Sequence, residues 1–182
     1  MSVAVHPRRG GPRGMQYYIA LGSNLGDRAA TLRRGWDMLS ARCSAVKLSP
    51  LFETRPMYVL DQPFYLNAVG KVSCAIPPGD MLDQLHRIEK ELGRDRANEI
   101  RMGPRPLDLD ILLCGDLIQD DPALTIPHPR ITERMFVLVP LIALAPRLKD
   151  PRTGTPYAEL LALLQADGDA VRAGGVYLYP SG

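Results

Sequence analysis

Two aspartates separated by one residue, Asp108 and Asp110, stand within an apolar stretch of the sequence. In an extended strand, successive side chains point to opposite faces, so we expect the two carboxylates to share one face. The apolar side chains expected on the other face are those of Leu107, Leu109, Ile111 and Leu113. Charged side chains are rarely buried without a partner. The pair therefore predicts either ligands for a divalent cation or a solvated strand face with arginine partners.

Four arginines cluster just before this stretch, at Arg94, Arg96, Arg101 and Arg105. Carboxylates bind hard cations such as Mg²⁺, which takes its other ligands from water and substrate phosphates. Guanidinium groups supply paired donors for phosphate oxygens. Acids and arginines this close together favour a metal–nucleotide site, although an internal ion pair between Arg105 and Asp108 is the simpler alternative.

Two further groups of residues could contact a ligand. Tyr65 and Asn67 are two apart in a predicted strand, where an aromatic ring and an amide can stack on a flat heterocycle and hydrogen-bond its edge. A tyrosine facing the core is the alternative. His128 lies between two prolines, where it could contact phosphate or metal-bound water, or serve only as a structural hydrogen-bond partner.

The elements that must position these residues follow from the hydrophobic pattern. Period-two runs predict strands at 16–21, 46–54 and 64–74 and at the aspartate pair, and apolar stripes predict helices after 27 and 80. Irregular loops are expected at 55–63 and 93–106. The order β-α-β-β-α-β predicts an α+β, ferredoxin-like, mostly antiparallel sheet with helices packed on its faces, in a single domain.

Composition restricts the class of protein further. At 182 residues with 46% hydrophobic and 23% charged residues, the chain has the composition of a globular domain. A net charge of +2 does not indicate a nucleic-acid binder, and no apolar run is long enough for a membrane span. The three cysteines, Cys43, Cys74 and Cys114, lie far apart in the sequence and predict free thiols in a reducing, cytoplasmic compartment. Residues 1–14 are expected to form a disordered leader.

Taken together, several segments resemble the 6-hydroxymethyl-7,8-dihydropterin pyrophosphokinase family of folate biosynthesis. The resemblance covers about residues 16–146, and its most specific segment is Gly103-Pro-Arg-Pro-Leu-Asp-Leu-Asp-Ile111. The other matching segments are Tyr18-Ile-Ala-Leu-Gly-Ser-Asn-Leu-Gly26, Phe52-Glu-Thr-Arg-Pro56, Asp61-Gln-Pro-Phe-Tyr-Leu-Asn67, Arg87-Ile-Glu-Lys-Glu-Leu-Gly-Arg94 and Ile126-Pro-His-Pro-Arg130.

The resemblance implies transfer of a pyrophosphoryl group from ATP to the hydroxymethyl oxygen of the pterin, with attack at the β-phosphorus and release of AMP. ATP is then a co-substrate, and two Mg²⁺ ions are expected on Asp108 and Asp110. The ring of the pterin would lie between Tyr65 and Phe136, and Asn67 would hydrogen-bond its polar edge. Backbone groups near Thr54 and Met57 would complete that side.

The same resemblance implies catalytic roles for Arg94, Arg96 and Arg105 beside the two aspartates. The residues expected to line the ATP side are His86, Glu89, Arg105, Ile111, His128 and Arg134. The loops at 55–63 and 93–106 are expected to be mobile lids of a pyrophosphokinase domain at 15–165, followed by a tail at 166–182. The partners expected are the two small-molecule substrates, without nucleic acid or membrane, and the chain is expected to be a monomer.

Four positions depart from the pattern of the family. Met102 stands where a tryptophan often packs over the site, and Arg55 replaces a proline. His86 stands where a glutamine can contact the adenine side, and Ala123 where some members carry an arginine. The alternatives are a non-catalytic binding module, such as an RNA-binding one, and an inactive relative. The first should show a K/R-G-F-G-F-type stretch, which is absent, and the second should lose one of the two aspartates, which are both present.

Overall fold

The computed structural model describes residues 14–57, 59–100, 102–166 and 175–180. Along the described chain the strands are β1 (Met15–Ser23), β2 (Ser44–Leu48), β3 (Phe52–Thr54), β4 (Tyr65–Cys74), β5 (Asp108–Cys114), β6 (Gln119–Asp121), β7 (Leu124–Ile126) and β8 (Val176–Leu178). The helices are α1 (Arg28–Ser40), α2 (Pro78–Glu91), α3 (Met135–Leu144) and α4 (Tyr157–Ala166), with a 3-10 turn at Ile131–Glu133 before α3.

The main sheet has the order β5-β1-β4-β3-β8, and β2 also pairs with β4. Every pairing in it is antiparallel. Because β1 and β4 lie in the centre, the ends of β1, β4 and β5 that carry the polar residues Ser23, Asn67 and Asp108 come together. The predicted α+β fold with a mostly antiparallel sheet is confirmed.

The helices α1 and α2 cover one face of the sheet. Asp27 begins α1 by accepting a hydrogen bond from the amide of Ala30 at 3.0 Å. Trp36 packs over Gly70 of β4 so closely that a Cβ at Gly70 would collide with the indole ring. The buried helix residues of this core are Leu32, Trp36, Leu39, Met81, Leu85 and Ile88. Their burial fixes both helices on the sheet and leaves the opposite face to α3 and α4.

The β5 strand departs from strict alternation at one residue. Tyr18 of β1 pairs with Leu113 and Ile19 pairs with Ile111, so Leu112 is an extra residue in a β-bulge. The prediction that Leu113 shares a face with the other leucines is therefore wrong, because the bulge reverses the alternation after Ile111. Leu112 and Leu113 lie in the core under α3, whereas Leu109 and Ile111 face α1 and α2.

The predicted strand at 46–54 is interrupted in the structure. It forms two strands, β2 and β3, separated at residues 49–51, where Pro50 has no amide hydrogen to donate. The side chain of Ser49 repairs the ladder by accepting a hydrogen bond from the amide of Val69 at 3.0 Å. The second long helix starts at Pro78, before the predicted cap at Asp80.

The state of the cysteines differs from the prediction. Cys43 and Cys74 form a disulfide with a Cα–Cα distance of 4.8 Å, and Cys114 is a buried free thiol. The prediction of three free thiols is therefore wrong. Ser44 pairs with Ser73 across β2 and β4, so the register places the two cysteines side by side although 31 positions separate them in the sequence.

The predicted leader, residues 1–14, lies outside the described residues except for Gly14. Its disorder and the domain limits at 15–165 stay predictions. At the other end, β8 pairs with β3 and extends the sheet by one strand. None of the helices in the described part of the chain is long and apolar enough to cross a membrane.

Candidate active site

A cavity of about 250 Å³ opens at the edge of the sheet where β1, β4 and β5 present their polar ends. The predicted site residues that line it are Thr54, Met57, Tyr65, Asn67, Arg94, Arg96, Arg105, Asp108, Asp110, Arg134 and Phe136. Residues from four strands, two loops and the start of α3 thus meet in one place. The structure brings together most of the residues that the motifs selected.

The two aspartates lie in the cavity but in different electrostatic environments. Asp108 accepts hydrogen bonds from Arg94 at 2.5 Å and from Arg105 at 2.9 Å, so the predicted Arg105–Asp108 ion pair is present. Burial alone would raise the pKa of Asp108, but the two guanidinium groups outweigh it and lower that pKa. Burial and the neighbouring charge of Asp108 raise the pKa of Asp110 to about 6.

Glu89 organises the arginines from behind the cavity. Its carboxylate is 1% exposed and accepts hydrogen bonds from Arg94 at 2.7 Å, from Arg96 at 2.6 Å and from the amide of Leu109 at 2.8 Å. Burial alone would lower the pKa of Arg94, but Asp108, Glu99 and Glu89 outweigh it and raise that pKa. Glu89 does not line the cavity, and its predicted contact with ATP stays a prediction.

Tyr65, Phe136 and Asn67 form the aromatic wall of the same cavity. Asn67 is buried and donates to the hydroxyl of Thr54 at 2.8 Å. The hydroxyl of Tyr65 lies 3.2 Å from both Gln62 Oε1 and the carbonyl oxygen of Gly103. The ring of Phe136 lies under the guanidinium of Arg134, 5.6 Å from its centroid. Gly22 leaves room here, because a Cβ there would stand 3.2 Å from Asn67 Oδ1.

Besides Glu89, three other predicted ATP-side residues lie outside the lining of this cavity. Ile111 is 2% exposed, and its side chain belongs to the core under α1 and α2. His128 accepts a hydrogen bond from the amide of Arg130 through Nδ1, and burial and the charge of Arg134 lower its pKa to about 4. The imidazole is therefore neutral at pH 7, with its hydrogen on Nε2. Burial and Arg96 lower the pKa of His86 on α2.

The sequence motifs did not single out Gln62, although it lines the cavity. It lies inside a matched segment, but nothing in its residue type or spacing indicates a ligand contact. Met102 also lines the cavity and adopts a φ of 62°, in the left-handed region that non-glycine residues rarely occupy. Both residues lie where the loops at 55–63 and 93–106 meet.

This arrangement is typical of a transferase that binds a phosphorylated donor beside a flat acceptor. Acids and arginines line one cavity together with two aromatic side chains and an amide. A family model described as 7,8-dihydro-6-hydroxymethylpterin-pyrophosphokinase (HPPK) matches residues 18–146, and the chain belongs to this family. The family predicted from the sequence is confirmed.

Known relatives support the same assignment. The 2-amino-4-hydroxy-6-hydroxymethyldihydropteridine pyrophosphokinase of Pseudomonas aeruginosa is 41% identical over 83% of this chain and 93% of its own length. The folic acid synthesis protein fol1 of Schizosaccharomyces pombe is also 41% identical over 83% of this chain, which spans only 21% of that longer protein. A solved HPPK-DHPS in complex with substrates has a TM-score of 0.67 at 11% identity, covering 88% of this chain and 46% of that one. That similarity shows the fold.

Proposed function

We propose that this chain transfers a pyrophosphoryl group from ATP to 6-hydroxymethyl-7,8-dihydropterin. The hydroxymethyl oxygen forms a bond to the β-phosphorus, the bond from that phosphorus to the bridging oxygen of the α-phosphate breaks, and AMP leaves. The hydroxyl proton is released to solvent. The observation that carries the proposal is a single cavity lined both by Asp108 and Asp110 and by Tyr65, Asn67 and Phe136.

The acid pair fits Mg²⁺ bound together with nucleotide phosphates. In the described residues no group of three or more histidine, cysteine or acidic side chains could hold a metal ion by itself. Two carboxylates suit Mg²⁺, which usually completes its coordination with water and phosphate oxygens. The neighbouring charges that raise the pKa of Asp110 are those a cation would neutralise. We propose that Asp108 and Asp110 hold two Mg²⁺ ions, which would neutralise charge on the transferring group.

The arginines supply the remaining positive charge. In the described part of the chain, the buried Nε atoms of Arg105 and Arg134 have no hydrogen-bond partner, although both side chains line the cavity. An unpaired buried donor is costly, and phosphate oxygens would satisfy it. Arg96 is 47% exposed on the same side and can move toward a bound donor. We propose that Arg94, Arg96 and Arg105 are catalytic and that Arg134 binds ATP. We also propose that Glu89 supports these arginines on the ATP side, together with Ile111, His128 and His86.

The aromatic wall fits the acceptor. A flat bicyclic ring between Tyr65 and Phe136 would place its polar edge against Asn67, which Thr54 already orients through a hydrogen bond. The backbone at Thr54 and Met57 lies at the same wall. We propose that this wall holds the pterin with its hydroxymethyl group directed toward the acid pair.

The reaction is tested by incubating the protein with ATP, Mg²⁺ and 6-hydroxymethyl-7,8-dihydropterin and separating the nucleotides. AMP and the pterin diphosphate in equal amounts are expected. ADP would replace the proposal with an ordinary kinase reaction, and unchanged ATP would favour a binding protein.

Substituting Phe136→Ala is expected to weaken pterin binding far more than ATP binding, which loses only the contact of this ring with Arg134. Loss of one stacked ring costs about 1–3 kcal/mol, or roughly a tenfold to hundredfold rise in Kd. Separate titrations, one with the pterin and one with a non-hydrolysable ATP analogue, measure the two affinities. Phe64→Ala is the matched control, because that ring is 43% exposed and lies outside the cavity lining. Equal losses for both ligands would contradict the proposed pterin wall.

We propose a monomer whose partners are its two small substrates, without nucleic acid or membrane, and whose loops at 55–63 and 93–106 close over them. We also retain the cytoplasmic location as a proposal. The Cys43–Cys74 disulfide removes one argument for it, since disulfides are rare in reducing compartments.

A further inference from the structure

The side chain of Gln62 uses both ends of its amide at the meeting point of the two loops. Its nitrogen donates to the carbonyl oxygen of Val59 at 2.8 Å and to that of Met102 at 3.2 Å. Its oxygen accepts from Asn24 at 3.1 Å and lies 3.2 Å from the hydroxyl of Tyr65. One residue therefore contacts both loops, the aromatic wall and the turn after β1.

The contact with Asn24 continues to Arg105 in the loop at 93–106. Asn24 is 1% exposed, and its side-chain oxygen accepts from the amide of Arg105 at 2.8 Å. The amide of Asn24 also donates to the carbonyl oxygen of Arg105 at 3.2 Å. The hydrogen-bond chain Tyr65–Gln62–Asn24–Arg105 thus joins a residue proposed for the acceptor to one proposed for the phosphates.

We infer that Gln62 is a positioning residue that ties the loop at 55–63 to the loop at 93–106 and fixes Tyr65 relative to Arg105. The inference rests on the proposed function for its kinetic consequence, whereas the tie between the loops stands on the contacts alone. A glutamine suits this position because it can donate to two carbonyl groups and accept from two other donors at once.

The backbone at Met102 points to the same role. Its φ of 62° is unfavourable for a residue with a side chain, and strained backbone persists where surrounding contacts hold it. The carbonyl oxygens of Met102 and of the following Gly103 are the ones that Gln62 and Tyr65 contact. The contacts therefore converge on the strained turn of the 93–106 loop.

Two variants separate the two functions of the amide. Gln62→Leu removes every hydrogen bond of the side chain. Gln62→Glu keeps the acceptors for Asn24 and Tyr65 and loses the donors to Val59 and Met102. The matched control is Gln119→Leu in β6, whose side chain donates to the carbonyl oxygen of Leu124 at 3.0 Å, outside the cavity lining.

Steady-state kinetics are expected to separate the variants. Gln62→Leu should raise KM for the pterin about tenfold or more and lower kcat, since Val59, Met102, Asn24 and Tyr65 each lose a hydrogen bond. Gln62→Glu should keep the KM for the pterin within about threefold of wild type, because the contact with Tyr65 is kept. Its kcat should still fall, because the donors to Val59 and Met102 are lost and the second of these joins the two loops. The control should match wild type. Wild-type KM and kcat in Gln62→Leu would overturn the positioning role.

Limited trypsin cleavage after Arg96 tests the tie without any activity measurement. Both Gln62 variants should be cut several times faster than wild type and Gln119→Leu, at a temperature well below all thermal midpoints. Unchanged cleavage would overturn the tie. If wild type yields no AMP, the proposed function fails, and the cleavage rates still decide whether Gln62 joins the loops.

Discussion

Substituting Asp110→Asn should reduce AMP formation by at least about a thousandfold, since losing a metal ligand removes several kcal/mol of charge stabilisation from the transferring group. The amide has nearly the shape of the carboxylate, so the cavity keeps its form. AMP release in the presence of saturating ATP, Mg²⁺ and pterin measures the effect. Activity near that of wild type would contradict the proposed metal site.

The same variant should unfold at a higher temperature than wild type when no ligand is added. The pKa of Asp110 is raised to about 6 in the folded protein, so the folded state holds a proton there that the unfolded chain has already released. The stabilisation that this group contributes is fully present below pH 3.8, the pKa of the carboxyl in the unfolded chain. It is lost as pH rises through about 6, the pKa in the folded protein. Asparagine has no charge to bury, so the thermal midpoint of the variant should exceed that of wild type above pH 6.

Asp116→Asn is the matched control for both measurements. Asp116 is exposed in the turn after β5, outside the cavity lining. It should change neither the rate nor the thermal midpoint at pH 7. A less stable Asp110→Asn protein would show that the lost activity came from damage to the fold.

Glu89→Ala should lower the free energy of unfolding by about 3–5 kcal/mol, which is the usual cost of removing one partner from a buried ion pair. The substitution leaves Arg94, itself 7% exposed, without one of its carboxylates, and it frees Arg96 and the amide of Leu109. Urea unfolding followed by circular dichroism measures the loss. Activity should fall as well, because two proposed catalytic arginines lose their common anchor.

Glu133→Ala provides the comparison, since that carboxylate pairs with Arg130 but is 57% exposed. Exposed pairs contribute little to stability, so this variant should unfold almost as wild type does. A small effect at Glu89 would mean that Asp108 and Glu99 alone suffice to hold Arg94 in place.

The site could be predicted from the sequence where its residues lie close together on one strand. Asp108 and Asp110 share a strand face because two residues along β5 return to the same side, and Tyr65 and Asn67 do so on β4. Proximity between distant segments came only from the family motif, as with Phe136. Gln62 could not be recognised in this way, because its role depends on carbonyl groups of Val59 and Met102 that any residue type would supply.

The sequence pattern did not predict the structure correctly where the register between distant strands determined it. The bulge at Leu112 arises from the pairing of β5 with β1, and an alternating run of leucines contains no sign of it. The disulfide depends on the β2–β4 register, which the spacing of Cys43 and Cys74 along the chain does not reveal. In each case the deciding neighbour lies on another strand.

The Cys43–Cys74 bond makes a covalent ring of residues 43–74, and the whole loop at 55–63 lies inside it. In the chain-entropy description, closing a ring of this length stabilises the folded state by about 3–4 kcal/mol. A protease cut within the ring leaves two fragments that the disulfide still links covalently. A cut in the loop at 93–106 leaves two fragments with no covalent link. The two loops over the cavity therefore differ in how permanently a single nick would divide the molecule.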